Sequence, residues 1–173
     1  MPSNLHLAAF VLSQIYLAVG QSSHANNISG EWIKNMVTKI NHIAIVVPDL
    51  EEGTRFWADA LGLNVSNVED VPQQQVRIAF LPVGDSNIEL LEPTDDNSGV
   101  ARYLQKKGPG LHHICLEVDD IEETLLRLKE ANVQLIDEEP REGHDGVRLV
   151  FVHPKATGGT LVELCQLPLA DDT

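Results

Sequence analysis

Positive charge and cysteine are both scarce in this 173-residue sequence. Only 12 Lys and Arg residues stand against 26 Asp and Glu residues, which gives a formal net charge of −14. Such an acidic chain is poorly suited to nucleic acid or to an anionic membrane surface, which argues against both as partners. With only Cys115 and Cys165, a disulfide framework is not expected, and the count favours a reducing compartment. The length and the 43% hydrophobic content support one globular domain or two half-domains that share a core.

Residues 1–35 differ from the rest of the sequence. Their apolar run, LHLAAFVLSQIYLAVG, is shorter than the roughly 20 residues that a membrane-spanning helix needs. A secretory leader would carry Lys or Arg before the apolar run, and none is present there. A mitochondrial transit peptide would be rich in Arg, and no Arg occurs before Arg55. We predict that residues 1–35 are a leader or precede the true start at Met36, and that 36–173 form a single domain. The predicted location is the cytoplasm, or the mitochondrial matrix if residues 1–35 are a transit peptide.

A duplication organises the sequence from residue 40 onward. The segments NHIAIVVPDLEE and HHICLEVDDIEE align His42 with His113, at an offset of 113 − 42 = 71 residues. After three extra residues in the second copy, Glu89 aligns with Glu163. A repeat of this kind predicts two structurally equivalent modules. The modules are expected to span two ranges, about 40–95 and 111–167.

Each copy is predicted to fold as strand, helix and three strands, which gives an α+β protein with two repeated βαβββ modules. A capping aspartate, Asp49 or Asp120, follows the first strand of each copy. Apolar residues then recur at helical spacing over 50–61 and 121–132. A short helix and a Gly-Pro-Gly turn within 98–110 are expected to join the copies. The later strands are predicted at six segments: 63–68, 76–83, 86–93, 133–140, 147–154 and 159–166.

Four polar residues within apolar strands form a symmetric set. His42 matches His113 and Glu89 matches Glu163, and the alternation of strand side chains places each pair on equivalent faces. Taken singly, such a histidine is more often a hydrogen-bonded core residue and such a glutamate more often solvated. Their matched repeat positions favour joint ligation of a divalent cation, which would satisfy carboxylates that are costly to bury unpaired. Imidazole and carboxylate without thiolate suit Co²⁺, Mn²⁺, Ni²⁺, Fe²⁺ or Zn²⁺, and we expect Co²⁺ first.

The remaining cysteines and histidines receive different predictions. Cys115 and Cys165 lie two residues beyond proposed ligands on the same faces, and we interpret them as small buried core residues, with a supporting or ligating role as the alternative. His112, His144 and His153 have no ligand-type repeat partner. They are predicted to lie in loops or at strand edges, with His153 near a substrate.

The motifs resemble a known superfamily. Paired βαβββ units with strand-borne His and Glu are similar to the vicinal oxygen chelate, or glyoxalase-like, superfamily. The segments INHIAIVVPDLEE, NIELLEP, GLHHICLEVDDIEE and HPKATGGTLVELCQ resemble the methylmalonyl-CoA epimerase family within it, and the resemblance covers about 38–167. It implies a curved sheet around a metal site, a homodimer and a CoA thioester as substrate. The family's metal ligands fall on four residues: His42, Glu89, His113 and Glu163.

The resemblance also implies a reaction and its residues. The reaction would interconvert (2R)- and (2S)-methylmalonyl-CoA by removal of the C2 proton, with the metal stabilising the enolate. Glu163 is expected to be one base. The partner glutamate of some family members falls on Arg77 in our alignment, so Glu89 is the predicted substitute, with a metal-bound water as the alternative. Substrate contacts are expected from three residues, Arg77, His153 and Lys155, and Lys106 and Lys107 are further candidates for the CoA phosphates.

Three other functions share parts of this pattern. Lactoylglutathione lyase (glyoxalase I) uses a similar metal and proton transfer, but such chains tend to carry an Asp-Pro-Asp-Gly turn where this sequence has HPKATGG. Metal-free relatives that bind small ligands generally lack the ligand set. An extradiol dioxygenase needs an open iron position, which a fourth carboxylate would fill.

Overall fold

The repeat in the sequence is also a repeat in the fold. The computed structural model describes residues 36–168 apart from the side chain of His144, so the prediction for residues 1–35 lies outside it. The first copy contains β1 (Val37–Val46), α1 (Leu50–Arg55), a π-helical turn (Phe56–Ala60), β2 (Asn67–Val71), β3 (Val76–Val83) and β4 (Ser86–Pro93). The connecting helix is α2 (Gly99–Lys107). The second copy contains β5 (Gly110–Val118), α3 (Ile121–Glu130), β6 (Arg141–Glu142), β7 (Arg148–Val152) and β8 (Leu161–Gln166).

All eight strands form one mixed sheet in the order β2-β3-β4-β1-β5-β8-β7-β6. The order is the same for both copies when each is followed outward from the centre, where β1 pairs with β5 in antiparallel fashion. The first strand of each copy pairs in parallel with the last strand of the same copy, β1 with β4 and β5 with β8. This arrangement confirms the predicted α+β fold of two βαβββ modules. It also brings the four strands that carry the predicted ligands side by side at the centre of the sheet.

The helix starts follow the predicted capping residues. The Asp49 carboxylate accepts a hydrogen bond from the backbone N–H of Glu52 at 2.8 Å, and Asp120 accepts one from Glu123 at 3.0 Å. Each bond satisfies one of the unpaired N–H groups of a first helical turn, and such a cap stabilises a helix by about 1 kcal/mol. The predicted helix over 50–61 is regular only to Arg55 and continues as the π-helical turn.

Two predicted strands differ from the structure: one is shifted, and the other does not form. The first-copy strand predicted at 63–68 is found at Asn67–Val71. The second-copy strand predicted at 133–140 is wrong, since that segment makes only a single bridge, from Leu135 to Val152. The carboxylate of Asp137 accepts a hydrogen bond from the Phe151 N–H at 2.8 Å, so a side chain takes the donor that a continuous ladder would have used.

The apolar core is distributed between the two modules. Each helix packs its first residue against its own half of the sheet: Leu50 of α1 is 7% exposed, and Ile121 of α3 is fully buried. Within residues 36–168, no helix is long and apolar enough to cross a membrane.

Candidate metal centre and active site

The sheet register places the four predicted ligands on one face. Across the parallel pair β1 and β4, Ala44 is opposite Glu89, and His42 lies two residues earlier on the same side of its strand. The second copy repeats this arrangement, with Cys115 opposite Glu163 and His113 two residues earlier. Glu89, His113 and Glu163 are all buried, a rare environment for charged groups that lack a partner.

The side chains converge as the repeat predicted. The Nε2 atoms of His42 and His113 are 3.0 Å apart, and His113 Nε2 is also 3.0 Å from Glu163 Oε2. Glu89 Oε1 lies 3.3 Å from the other ring nitrogen of His42, Nδ1. Three atoms therefore meet at one point, whereas Glu89 lies at the side of this group. The Cys115 sulfur is close as well, since one ligand atom each of His42, Cys115 and Glu163 lie within 4.8 Å of one another.

The two carboxyl groups have opposite protonation states in the absence of a cation. Burial, with a smaller contribution from Glu163, raises the pKa of Glu89 to about 8. For Glu163 burial acts in the same direction, but the hydrogen bond from His113 and the nearby positive charges, including Arg141, outweigh it and lower the pKa. At neutral pH without a cation, Glu163 is therefore ionised and Glu89 is largely protonated.

The contact between His42 and Glu89 is not an ion pair at neutral pH. Burial is the main cause that lowers the pKa of His42 to about 4, with His113 acting in the same direction and Glu163 against it. The 3.3 Å distance alone suggests a salt bridge, but a neutral imidazole then faces a largely protonated carboxyl. At neutral pH the contact therefore joins two neutral groups.

The four side chains line a cavity of about 250 Å³. Residues of β2 at one edge of the sheet and of the loop before β7 near the other edge also line it, including Glu69 and Asp145. Side chains so far apart in the strand order can share one cavity only if the sheet is curved, as predicted. A second cavity of about 670 Å³ also contains His113 and Glu163 in its wall, together with His112 and Arg141. The two cavities therefore meet at the same pair of side chains.

Three predicted substrate contacts lie elsewhere. Arg77 lines neither cavity. Its strand neighbour Ile78 faces the cavity, and since adjacent strand residues point to opposite faces, Arg77 points outward, where its guanidinium binds Asp70 at 2.8 Å. The ring of His153 caps a short turn by accepting a hydrogen bond from the N–H of Lys155 at 3.1 Å. Neither His153 nor Lys155 lines these cavities, so their contact with a substrate stays a prediction.

Other residues at the site were not predicted. His112 was expected at a loop or strand edge, but it lies within β5, and its Nδ1 is 2.8 Å from Nδ1 of His113. Glu69 faces the cavity because it pairs with Ile78 across β2 and β3. Alternation would have identified Glu69 if the second strand had been placed correctly. No sequence pattern identified Arg141 or Asp145 as site residues, because the strand predicted directly before them, at 133–140, is wrong.

Comparison with known proteins places this geometry in a family. Residues 41–151 match the model of the Glyoxalase/Bleomycin resistance protein/Dioxygenase superfamily. The chain is 42% identical to the mitochondrial methylmalonyl-CoA epimerase of Homo sapiens over 129 residues, which cover 74% of this chain and 73% of that protein. It belongs to the methylmalonyl-CoA epimerase family.

Structural comparison gives the same result. A solved methylmalonyl-CoA epimerase in complex with methylmalonyl-CoA and NH4+ superposes with a TM-score of 0.70 at 34% identity, covering 77% of this chain and 96% of that one. A probable lactoylglutathione lyase of Synechocystis sp. is more distant, at 28% identity over 125 residues that cover 72% of this chain and 92% of that protein. The similarity therefore favours the epimerases over the glyoxalase I branch of the superfamily.

The donor set of this epimerase-family chain fits a divalent cation. Nε2 of His113 lies 3.0 Å from both Nε2 of His42 and a carboxylate oxygen of Glu163. Lone pairs this close repel one another unless a proton or a cation lies between them. Imidazole with carboxylate suits a first-row divalent metal.

Proposed function

We propose that this protein is a divalent-metal-dependent epimerase that interconverts (2R)- and (2S)-methylmalonyl-CoA. The supporting observation is the buried junction of the two modules, where a histidine and a glutamate from each copy line one cavity. Membership in the methylmalonyl-CoA epimerase family supplies the substrate, a CoA thioester.

We assign the metal to His42, His113 and Glu163, with Glu89 as the fourth ligand and Co²⁺ as the expected ion. A bound divalent cation would act as a Lewis acid toward the oxygen on which negative charge develops. Cys115 is a poor competitor for the ion, because the hydrogen bond to Cys165 and burial raise the pKa of its thiol far above the ordinary value. Both cysteines are almost completely buried, which fits their predicted role as small core residues.

Epimerisation requires a proton to leave C2 on one face and another to arrive on the opposite face. We assign this pair of steps to Glu163 and Glu89 because they are the two buried carboxyls that line the cavity, and without a cation their environments move the two pKa values apart. They project from β8 and β4, on either side of the central strands that carry the histidines. Glu89 Oε1 lies 3.3 Å from Nδ1 of His42, beside the point where the other three ligand atoms meet, so we propose that it both completes the metal site and takes part in proton transfer. Glu69, farther along the same half of the sheet, is the alternative second acid.

Isotope exchange tests the assignment. Metal-loaded protein is incubated with each methylmalonyl-CoA epimer in deuterated water, and deuterium at C2 and inversion are followed separately. We expect both with the native protein. Because one face should still exchange when only one acid is missing, Glu89→Gln should retain exchange from one epimer and lose inversion by at least 100-fold.

Matched variants separate the alternatives. Glu69→Gln should behave as the native protein if Glu89 is the second acid, and Asp70→Asn, which changes an exposed acid on the outer face, serves as the control. The epimerase proposal is refuted if the native protein exchanges neither epimer but turns over the methylglyoxal–glutathione adduct.

Location, assembly and the N-terminus are further proposals. We propose a cytoplasmic homodimer whose domain begins near Met36. The human relative carries "mitochondrial" in its name, so a mitochondrial protein with residues 1–35 as a transit peptide is the competing proposal. Mass spectrometry of the native N-terminus and sedimentation of the purified protein distinguish these possibilities.

A further inference from the structure

The residue before each site histidine is the extra residue of a β-bulge. Between β1 and β5, Ile40 pairs with Leu116 and His42 with Cys115, so Asn41 has no partner of its own. The second copy has the same irregularity, because Leu111 and His113 pair with consecutive residues of β1 and leave His112 between them. A bulge redirects a side chain that regular alternation would send to the opposite face. Asn41 and His112 are thereby turned toward the histidine that follows each of them.

Asn41 is held in one orientation by Glu117. Its amide nitrogen Nδ2 donates a hydrogen bond to Glu117 Oε2 at 3.1 Å, and Lys39 Nζ lies 3.4 Å from the same carboxylate oxygen. A carboxylate can only accept, so this contact requires the nitrogen side of the amide to face Glu117. The amide oxygen Oδ1 must then face the other way, toward His42.

This orientation determines which nitrogen of His42 carries the proton. Oδ1 of Asn41 lies 3.0 Å from Nδ1 of His42 and can only accept, whereas Glu89 Oε1 lies farther from the same nitrogen, at 3.3 Å, so the shorter contact makes Nδ1 the donor. In a neutral imidazole the other nitrogen, Nε2, then has a free lone pair. That lone pair points at the junction with His113, where a metal would be held.

The second copy lacks this control. Nδ1 of His113 faces Nδ1 of His112 at 2.8 Å, and an imidazole nitrogen can either donate or accept. Nε2 of His113 lies 3.0 Å from the Glu163 carboxylate, which favours a proton on Nε2 until a metal displaces it. Only the first copy therefore presents its ligand lone pair in advance.

We propose that Glu117 and Asn41 form a positioning pair that fixes His42 in the Nδ1–H tautomer and so prepares its Nε2 as a metal ligand. The proposed effect of the pair is exerted through His42, although Asn41 also lines the site cavity. The inference rests on the proposed metal site, but the tautomer itself exists without metal and can be measured separately.

Two measurements test the pair. Long-range ¹H–¹⁵N correlation spectra of the metal-free protein identify the tautomer of His42, and calorimetric titration with Co²⁺ gives the affinity. The native protein should show a single Nδ1–H tautomer. Asn41→Ala should give a mixture of tautomers and about 10- to 100-fold weaker Co²⁺ binding, the usual effect of losing such a partner. Asn67→Ala, at an exposed position of β2, is the matched control and should leave both readouts unchanged.

A reversed pair excludes a merely structural effect. Asn41→Asp places two carboxylates together and should weaken binding, whereas Asn41→Asp with Glu117→Gln exchanges donor and acceptor and should restore both the tautomer and the affinity to within about threefold. The inference is overturned if folded Asn41→Ala keeps a single Nδ1–H tautomer. It is also overturned if the reversed pair fails to restore the tautomer, or if Asn41→Ala does not fold and Glu117→Ala, which removes the acceptor for Asn41 Nδ2, leaves the tautomer and the affinity native. If the native protein shows the tautomer but binds no Co²⁺, the metal proposal fails and the tautomer result stands.

Discussion

The buried carboxyl of Glu89 should make the metal-free protein lose stability as the pH rises. Its pKa is about 8 in the folded protein, against an ordinary value of 4.5. Below pH 4.5 the group is protonated in both states and has no effect. Between pH 4.5 and 8 the unfolded chain releases a proton that the folded protein retains, so the free energy of unfolding falls. At about 1.36 kcal/mol per pH unit, the full loss is roughly 5 kcal/mol.

His42 acts in the opposite direction over a lower range. Its pKa is about 4 in the folded protein, against an ordinary 6.5, so the unfolded chain binds the extra proton and stability rises with pH across this range. The contribution is roughly 3 kcal/mol. The two effects cancel between about pH 4.5 and 6.5, which leaves a plateau followed by a fall of roughly 2 kcal/mol up to pH 8.

Urea unfolding in the presence of a chelator measures this difference. Native protein and Glu89→Gln are compared at pH 5, 6, 7 and 8, with the exposed Glu138→Gln as the control. The stability of Glu89→Gln relative to the native protein should increase by roughly 4 kcal/mol from pH 5 to 8, since the amide cannot ionise. Saturating Co²⁺ should abolish the native fall, because a cation favours the ionised carboxyl. Parallel curves that differ by less than about 1 kcal/mol over this range would refute the reasoning.

Three further outcomes are expected. Calorimetry of Co²⁺ binding at pH 7, in buffers of different ionisation enthalpy, measures how many protons are released. The native protein should release about one more proton than Glu89→Gln, because the protonated carboxyl of Glu89 must ionise next to the ion. Equal proton release by the two proteins would contradict this. Asp120→Ala should lower the free energy of unfolding by about 1 kcal/mol through loss of the α3 cap, with Asp120→Asn as the near-neutral control. In the native protein Cys115 should resist iodoacetamide for as long as the fold persists, and peptide mapping that finds it labelled before unfolding would contradict its burial and raised pKa.

The features that the sequence predicted depend on local pattern and on repetition. The offset of 71 residues paired His42 with His113, and strand alternation placed each on the correct face, so the convergence of the site could be expected before the structure. A mixed sheet of two βαβββ units follows from the same pattern. These inferences need no knowledge of which distant side chains meet.

The features that were missed depend on contacts between distant residues. The strand predicted at 133–140 failed because the Asp137 side chain bonds to Phe151. The contact of His112 with His113 depends on a β-bulge. The bulge arises from the pairing of β1 with β5 and cannot be predicted from hydrophobic periodicity. The predicted substrate contact of Arg77 stays a prediction, since the structure shows only that its guanidinium binds Asp70.

In the proposed mechanism, which uses two unlike carboxyls, the unequal environments of the two copies supply the difference between them. Glu163 remains ionised because His113 donates to it and because Arg141 contributes positive charge nearby. The residue at the equivalent position of the first copy, 141 − 71 = 70, is Asp70, which binds Arg77 on the outer face. Glu89 therefore has no corresponding cation among the causes of its pKa shift, and burial dominates. Duplication supplies matched positions for the ligands, and the hydrogen bond from His113 to Glu163, with a smaller contribution from Arg141, distinguishes the two carboxyls in the absence of a cation.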